Sequence, residues 1–136
     1  LLVLVDSIEM IKHYCSSISK QELDLLADSR PTTVILENII ALPNNLKGPN
    51  SSLAFRITTN PACLNIIKST QTPLVSTSAN YSGDPTPLSR NQISGTLLES
   101  VDVVFKTIYK EKTIQQNAKP SRILKISNGL VITIRK

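Results

Sequence analysis

The chain has 136 residues, of which 40% are hydrophobic and 18% charged, with a net charge of +5. That length fits one folded domain with one core, residues 1–136, which at this size buries roughly two thirds of its unfolded surface. The apolar content excludes a disordered acidic tail, and no apolar run approaches the ~20 residues that a membrane helix needs.

Leu1–Val5 is a continuous apolar run, which reads as a buried strand and lacks the basic flank and cleavage site of a signal peptide. Asp6-Ser-Ile-Glu9 follows at once as an acidic cap, so a helix is expected to about Cys15. Ser19-Lys-Gln-Glu22 repeats the capping-box pattern ahead of Leu23, Leu25 and Leu26, and Pro31 must end that second helix. Thr32–Leu36 is β-branched enough for a strand. From Asn38 to Ser51 the prolines, asparagines and Gly48 spell a loop.

Leu53–Ile57 resumes as a strand, and Asn60-Pro61 is an N-cap with proline at the first helical position, opening a helix to about Ser69. Pro73–Ser76 is a short strand that runs into the polar string Ser76-Thr-Ser-Ala-Asn80. Ser89-Arg-Asn-Gln92 predicts a capped helix through Leu98, and Asp102–Phe105 a strand. After a polar connector from Thr107 to Pro120, Arg122–Ile126 and Leu130–Ile134 flank Asn128-Gly129, a strong signal for a two-residue hairpin turn. Alternating strands and helices closed by a hairpin predict an α/β domain with a mixed sheet.

Charge is uneven along the chain. Residues 1–46 carry three cations against six carboxylates, whereas residues 103–136 carry eight against one, a net +7. Lys106, Lys110, Lys112, Lys119, Arg122, Lys125, Arg135 and Lys136 would suit a nucleotide's phosphates, an RNA backbone or only solvent. Cys15 and Cys63 are far apart, no C-x-x-C occurs and His13 is the one histidine, so neither a disulfide framework nor a zinc site is supported. Reduced thiols in a cytoplasmic protein are the expectation.

The common nucleotide and metalloprotease motifs are absent, including G-x-x-x-x-G-K-S/T, G-x-G-x-x-G and H-E-x-x-H. What stands out is the hydroxyl and amide cluster after the Pro73–Ser76 strand: Ser76, Thr77, Ser78 and Asn80, then Tyr81-Ser-Gly83-Asp-Pro-Thr86. In α/β sheets, ligands sit outside strand ends, where such loops supply donors. Arg56, alternating with Ala54 in an apolar strand, either faces solvent or points into a cleft to hold a carboxylate bidentately.

Ser51-Ser-Leu-Ala-Phe-Arg56 with Asn60-Pro61, then Pro73-Leu-Val-Ser-Thr-Ser-Ala-Asn80-Tyr-Ser-Gly83, Val101-Asp102, Pro120-Ser121 and a terminal strand ending in Arg135 resemble the YrdC-like threonylcarbamoyl-AMP synthase family. The resemblance implies a single YrdC-like domain: a twisted mixed sheet with flanking helices and a C-terminal β-hairpin. It implies a nucleotidyltransferase that joins L-threonine, bicarbonate and ATP into threonylcarbamoyl-adenylate for tRNA N6-threonylcarbamoyladenosine, with magnesium accompanying ATP. The adenylate passes to the downstream tRNA threonylcarbamoyl transferase machinery. Carried over by position, Arg56 and Ser76 bind L-threonine, and Ser52, Ser78, Thr86 and Arg135 bind ATP. Asn80 and Ser121 are further candidates, Gly83 shapes the loop, and Arg122 stands where many members have threonine. The resemblance assigns no catalytic side chain and no protein metal ligand.

Members of that family carry, upstream of the strand matching Leu1–Val5, a threonine-rich substrate loop and a Lys-x-Arg motif. Neither is present here, so the chain is expected to be an N-terminally truncated form with doubtful activity by itself. The alternative is a noncatalytic module that uses the basic C-terminal quarter to bind tRNA or double-stranded RNA; low aromatic content speaks against it. A carbamoyl-transfer domain of a hydrogenase-maturation protein is a third reading, disfavoured by the missing flanking domains.

Overall fold

Apolar and β-branched residues in short runs build the sheet, and the alternation within each run decides what the two faces of the sheet can do. A computed structural model describes residues 1–105 and 121–135. The strands are β1 (Leu2–Val5), β2 (Thr32–Leu36), β3 (Leu53–Ile57), β4 (Leu74–Ser76), β5 (Arg122–Ser127) and β6 (Leu130–Arg135). The helices are α1 (Ile8–Tyr14), α2 (Lys20–Leu26), α3 (Pro61–Thr70) and α4 (Gly95–Glu99). Strand order is β4-β1-β3-β2-β5-β6. β1 runs parallel to β3 and β2 parallel to β5, while β1/β4, β2/β3 and β5/β6 are antiparallel, so the sheet is mixed as expected.

One face forms the core. Val3, Val5, Val34, Leu36, Leu53 and Phe55 are buried there with Ile11 of α1, Leu26 of α2, Cys15 and Ile39. Each such side chain contributes roughly 1.5–3 kcal/mol by leaving water. Strand periodicity turns the intervening residues, among them Leu4, Thr33, Ala54 and Arg56, to the opposite face. Leu1–Ser76 and the C-terminal strands form one compact unit; a second begins at Thr77, and none of its described residues is buried. Among the described residues no helix is long and apolar enough to cross a membrane.

Local chemistry sets the element ends. Ser19 and Glu22 form both halves of the capping box of α2, with Ser19 Oγ accepting from Glu22 N and Ser19 N donating to Glu22 Oε2. Asn60 Oδ1 accepts from the backbone N–H groups of Ala62 and Cys63 at the start of α3. Asn128 and Gly129 hold φ of 50° and 76°, the left-handed pair that a tight hairpin turn requires.

Three expectations are corrected. The cap of α1 is Ser7, whose Oγ accepts from Met10 N and donates to Asp6 Oδ1; Asp6 supports the cap from one residue further out. Ser89 caps no α-helix. Gln92 Oε1 turns back to accept from Leu88 N, and Arg90–Gln92 is a single 3-10 turn. The chain then extends at Ile93 before α4 begins. Asp102–Phe105 forms no strand: Val101, Val103, Val104 and Phe105 are exposed and have no strand partner among the described residues. A β-branched run needs a neighbour to become a strand. The Thr107–Pro120 connector lies outside the described residues.

Ser19→Ala removes the hydroxyl half of the capping box. It is expected to lower unfolding stability by about 1 kcal/mol with an unchanged denaturant slope, measured by urea titration.

Candidate functional site

Arg56 takes its position from β3. In the register Leu4 lies opposite Arg56 and Val3 opposite Phe55, so with Phe55 buried in the core the guanidinium is on the other face. It is half-buried and, among the described residues, makes no hydrogen bond or ion pair. Burial pushes its pKa down; the Cys63 thiol opposes this, and the charge of Arg135 pushes it down further. Among the described residues no anion pairs with this cation to compensate its desolvation.

Arg56 lines a cavity of about 270 Å³ at the end of the sheet where β2 begins and β3 ends. Asp28, Arg30, Thr32, Thr58 and Asn60 line it too. Asp28 accepts from the backbone N–H of Arg30 at 2.8 Å and from its guanidinium at 3.2 Å, and also from Arg122 Nη2. Arg122 Nε donates to Thr32 Oγ1 at 2.8 Å. The guanidinium of Arg122 therefore fastens β5 to the α2–β2 turn, which gives a structural reason for arginine at this position. Arg30 first, then Arg122, holds the Asp28 carboxyl well below the usual carboxylate range.

Beside Arg56 a second set of groups spans β2, β5 and β6. Thr33 Oγ1 and Ser121 Oγ are 3.0 Å apart and buried, and Arg135 Nε and Nη2 donate to the Ser121 carbonyl at 3.2 and 2.9 Å. The structure thus brings Arg56, Ser121 and Arg135 to one end of the sheet. Ser76 is further away, ending β4 opposite Leu2. Ser52 precedes β3, where its backbone N–H donates to the Pro49 carbonyl and its carbonyl accepts from Gly48 N.

Ser78, Asn80 and Thr86 belong to the second unit. Asn80 Nδ2 donates to the carbonyls of Tyr81 and Asp84 at 3.0 and 2.9 Å, cross-bracing the loop, while its buried Oδ1 has no partner. Gly83 sits at φ 94°, a conformation that side chains resist. Asn80 and Thr86 line a cavity of about 460 Å³ with Tyr81, Asp84, Leu88 and Gln92; Ser78 does not.

Of the basic C-terminal quarter, Lys106, Lys110, Lys112, Lys119 and Lys136 lie outside the described residues. Arg122 pairs with Asp28 and Lys125 with Glu37 at 2.8 Å. Cys15 and Cys63 are both free. Among the described residues no three His, Cys, Asp or Glu side chains group to hold a metal. Sequence reasoning missed Asp28, Thr33 and Thr58–Asn60 as neighbours of the site. Asp28-Ser-Arg30 was readable as a local ion pair, whereas the Thr33 contact spans 88 residues and left no local trace.

A family model covering Sua5, YciO and YrdC proteins, described as "Telomere recombination", matches residues 1–136. A Threonylcarbamoyl-AMP synthase of Stutzerimonas stutzeri is 30% identical over 107 residues, covering 77% of this chain and 57% of that protein. The Xanthomonas oryzae pv. oryzae protein of the same name is 30% identical over 121 residues, covering 82% of this chain and 62% of its own. The chain thus spans about three fifths of the curated relatives it matches. E. coli YciO superposes with a TM-score of 0.79 at 18% identity, covering 99% of this chain and 64% of that one. An H234A/Y235A variant of P. abyssi Sua5 gives 0.77 at 17% identity, covering 98% and 40%. The two structures share the mixed sheet fold.

Asp28 links pH to stability. Its folded pKa lies below the unfolded value of about 3.9, so its contribution is complete above that value and is lost as pH falls through and below it. Asp28→Asn is expected to be less stable at neutral pH and to lose less further stability on acidification, read from urea midpoints between pH 7 and 3.

Proposed function

The chain belongs to the Sua5/YciO/YrdC family, and on that premise we propose that the complete protein is a nucleotidyltransferase making threonylcarbamoyl-AMP from L-threonine, bicarbonate and ATP. The observation that carries this reading is the half-buried guanidinium of Arg56, which engages no described residue, on a cavity rim whose other described arginine, Arg30, is bound to Asp28. A planar fork with no counterion among the described residues suits a carboxylate, and the carboxylate of L-threonine is its proposed ligand.

The threonine amine attacks the carbon of bicarbonate and water leaves, giving a carbamate, whose oxygen then attacks the α-phosphorus of ATP while pyrophosphate leaves. Little covalent work falls to the protein, which must place two anions together and balance the charge that develops between them. Arg56 and Ser76 serve the threonine side; Ser52, Ser78, Thr86 and Arg135 serve ATP, with Asn80 bracing the loop and Ser121 holding Arg135. Magnesium is proposed to accompany ATP as the Mg–ATP substrate. The threonine-rich loop and Lys-x-Arg motif implied by the resemblance would supply further cations. The product's destination is adenosine of tRNA through a separate transferase, and the cytoplasm is the compartment for that chemistry.

In the complete protein, pyrophosphate release from ATP is expected to require both threonine and bicarbonate, tested by omitting each in turn. Arg56→Ala should raise the threonine KM roughly 10–100-fold, the loss of a charge-assisted contact. Unchanged threonine kinetics would remove Arg56 from the site. Ser78→Ala should weaken ATP more than threonine, and the opposite pattern would exchange the two subsites.

A further inference from the structure

We propose that Gly48 is a positioning residue: its missing side chain leaves the room in which the Ser52 hydroxyl is held, and so sets the nucleotide contact that Ser52 makes. The inference rests on the proposed function for the identity of that nucleotide, ATP. Gly48 has φ −89° and ψ −167°, extended backbone that any residue adopts, so conformational freedom is not what glycine supplies here. It supplies space. A Cβ at this position would stand 3.1 Å from Ser52 Oγ and 3.7 Å from the Ser52 carbonyl oxygen, with no other atom beyond its chain neighbours within 4 Å among the described residues. The first distance is closer than carbon and a hydroxyl oxygen ordinarily settle, and the second is ordinary contact. The one group that a methyl would crowd is therefore the hydroxyl.

The backbone around this contact is held firmly. Gly48 and Ser52 form an antiparallel bridge, in which Gly48 N donates to the Ser52 carbonyl at 2.8 Å, and Ser52 N donates to the Pro49 carbonyl at 3.1 Å. The turn between them places Asn50 and Ser51 at φ of 56° and 49°. Two successive left-handed residues without a glycine cost energy and persist only where their surroundings impose them. Here the core imposes them: Asn38 N donates to the Asn50 carbonyl at 3.2 Å and Ile39 N to the Ser51 carbonyl at 3.0 Å, with Ile39 itself buried. Ser52 is extended, at φ −85° and ψ 150°, so alternation into β3 puts Ser52, Ala54 and Arg56 on the face opposite Leu53 and Phe55. With the backbone fixed, what remains adjustable is rotation of the Ser52 side chain among its staggered positions. A methyl on residue 48 would disfavour the observed one and turn the hydroxyl aside without disturbing the chain that carries it.

The test is calorimetric titration of Mg–ATP into the complete protein, with L-threonine titrated in parallel and adenylate formation measured on the same variants. Gly48 is exposed, so Gly48→Ala is expected to keep the urea midpoint of the unaltered protein. It should weaken ATP about threefold to tenfold, the range of one neutral hydrogen bond, and leave threonine affinity unchanged. Ser52→Ala removes the hydroxyl and with it the crowding; it should weaken ATP to a similar extent, and Gly48→Ala added to it should change nothing more. A general distortion of the turn would weaken ATP in both backgrounds. Undiminished ATP affinity in Gly48→Ala would overturn the proposal, as would a further loss in the Ser52→Ala background, an equal loss of threonine affinity, or a Gly48→Ala protein that no longer folds. Normal ATP affinity in Ser52→Ala would withdraw the contact and the proposal together. The expected pattern in a protein that binds ATP but makes no adenylate would leave the role of Gly48 standing and remove only the synthase reading. Adenylate made by Gly48→Ala with an unaltered ATP requirement would do the reverse.

Discussion

The guanidinium of Arg122 bonds to Asp28 and Thr32, 94 and 90 positions earlier in the chain, and the site depends on that grip. Parallel pairing of β2 with β5 has no hairpin to set its register, and closing so long a loop costs entropy before any contact rewards it. Arg122 marks the register at its first residue, where Thr32 faces it across the ladder. Both charged side chains are about four-fifths shielded from water, so the pair is stronger than a fully solvated one while bearing some desolvation cost. With β5 anchored there, Ser121 falls beside Thr33 and β6 delivers Arg135; shifted by one residue, every side chain of the hairpin would change face.

Charge is distributed with a clear division of labour around this anchor. Asp28 answers two arginines, Glu37 answers Lys125, and neither acid reaches Arg56. The paired ions hold loops and strands, while Arg56, which pairs with no described residue, is kept on a face whose opposite side is packed with Phe55, Val3 and Val34. Phe55 is fully buried in the core, so β3 has little freedom to turn Arg56 outward. The site is thus made by a rigid apolar layer on one side and, among the described residues, a shortage of carboxylates on the other.

Elements governed by neighbours in sequence were legible: the Ser19–Glu22 box, Asn60-Pro61, the Thr32–Leu36 strand and the Asn128-Gly129 turn each carry their own cause within a few residues. The errors have the same origin. Ser89-Arg-Asn-Gln92 has the letters of a capping box, yet Gln92 can also reach Leu88, and a short peptide pattern does not choose between them. Asp102–Phe105 has strand composition, but strand formation requires a partner that composition cannot supply. Arg56 was readable as a candidate from its alternation with Ala54, while its direction awaited the burial of Phe55. The resemblance named Arg135 and Ser121, but their meeting with Thr33 depends on pairing across most of the chain and was invisible.

Among the described residues β6 is the outermost strand on its side of the sheet, and all six of its residues are exposed, Leu130 at 71% and Ile134 at 56%. The strand least supported by packing is therefore the one that carries Arg135. Such an edge opens first in local fluctuations, and open it presents apolar side chains and unpaired backbone groups to any other chain. A ligand that engages Arg135 only when β6 is docked would favour the docked form in proportion to its occupancy. Ligand occupancy would then govern colloidal behaviour, with an unliganded molecule offering its sticky margin more often than a saturated one.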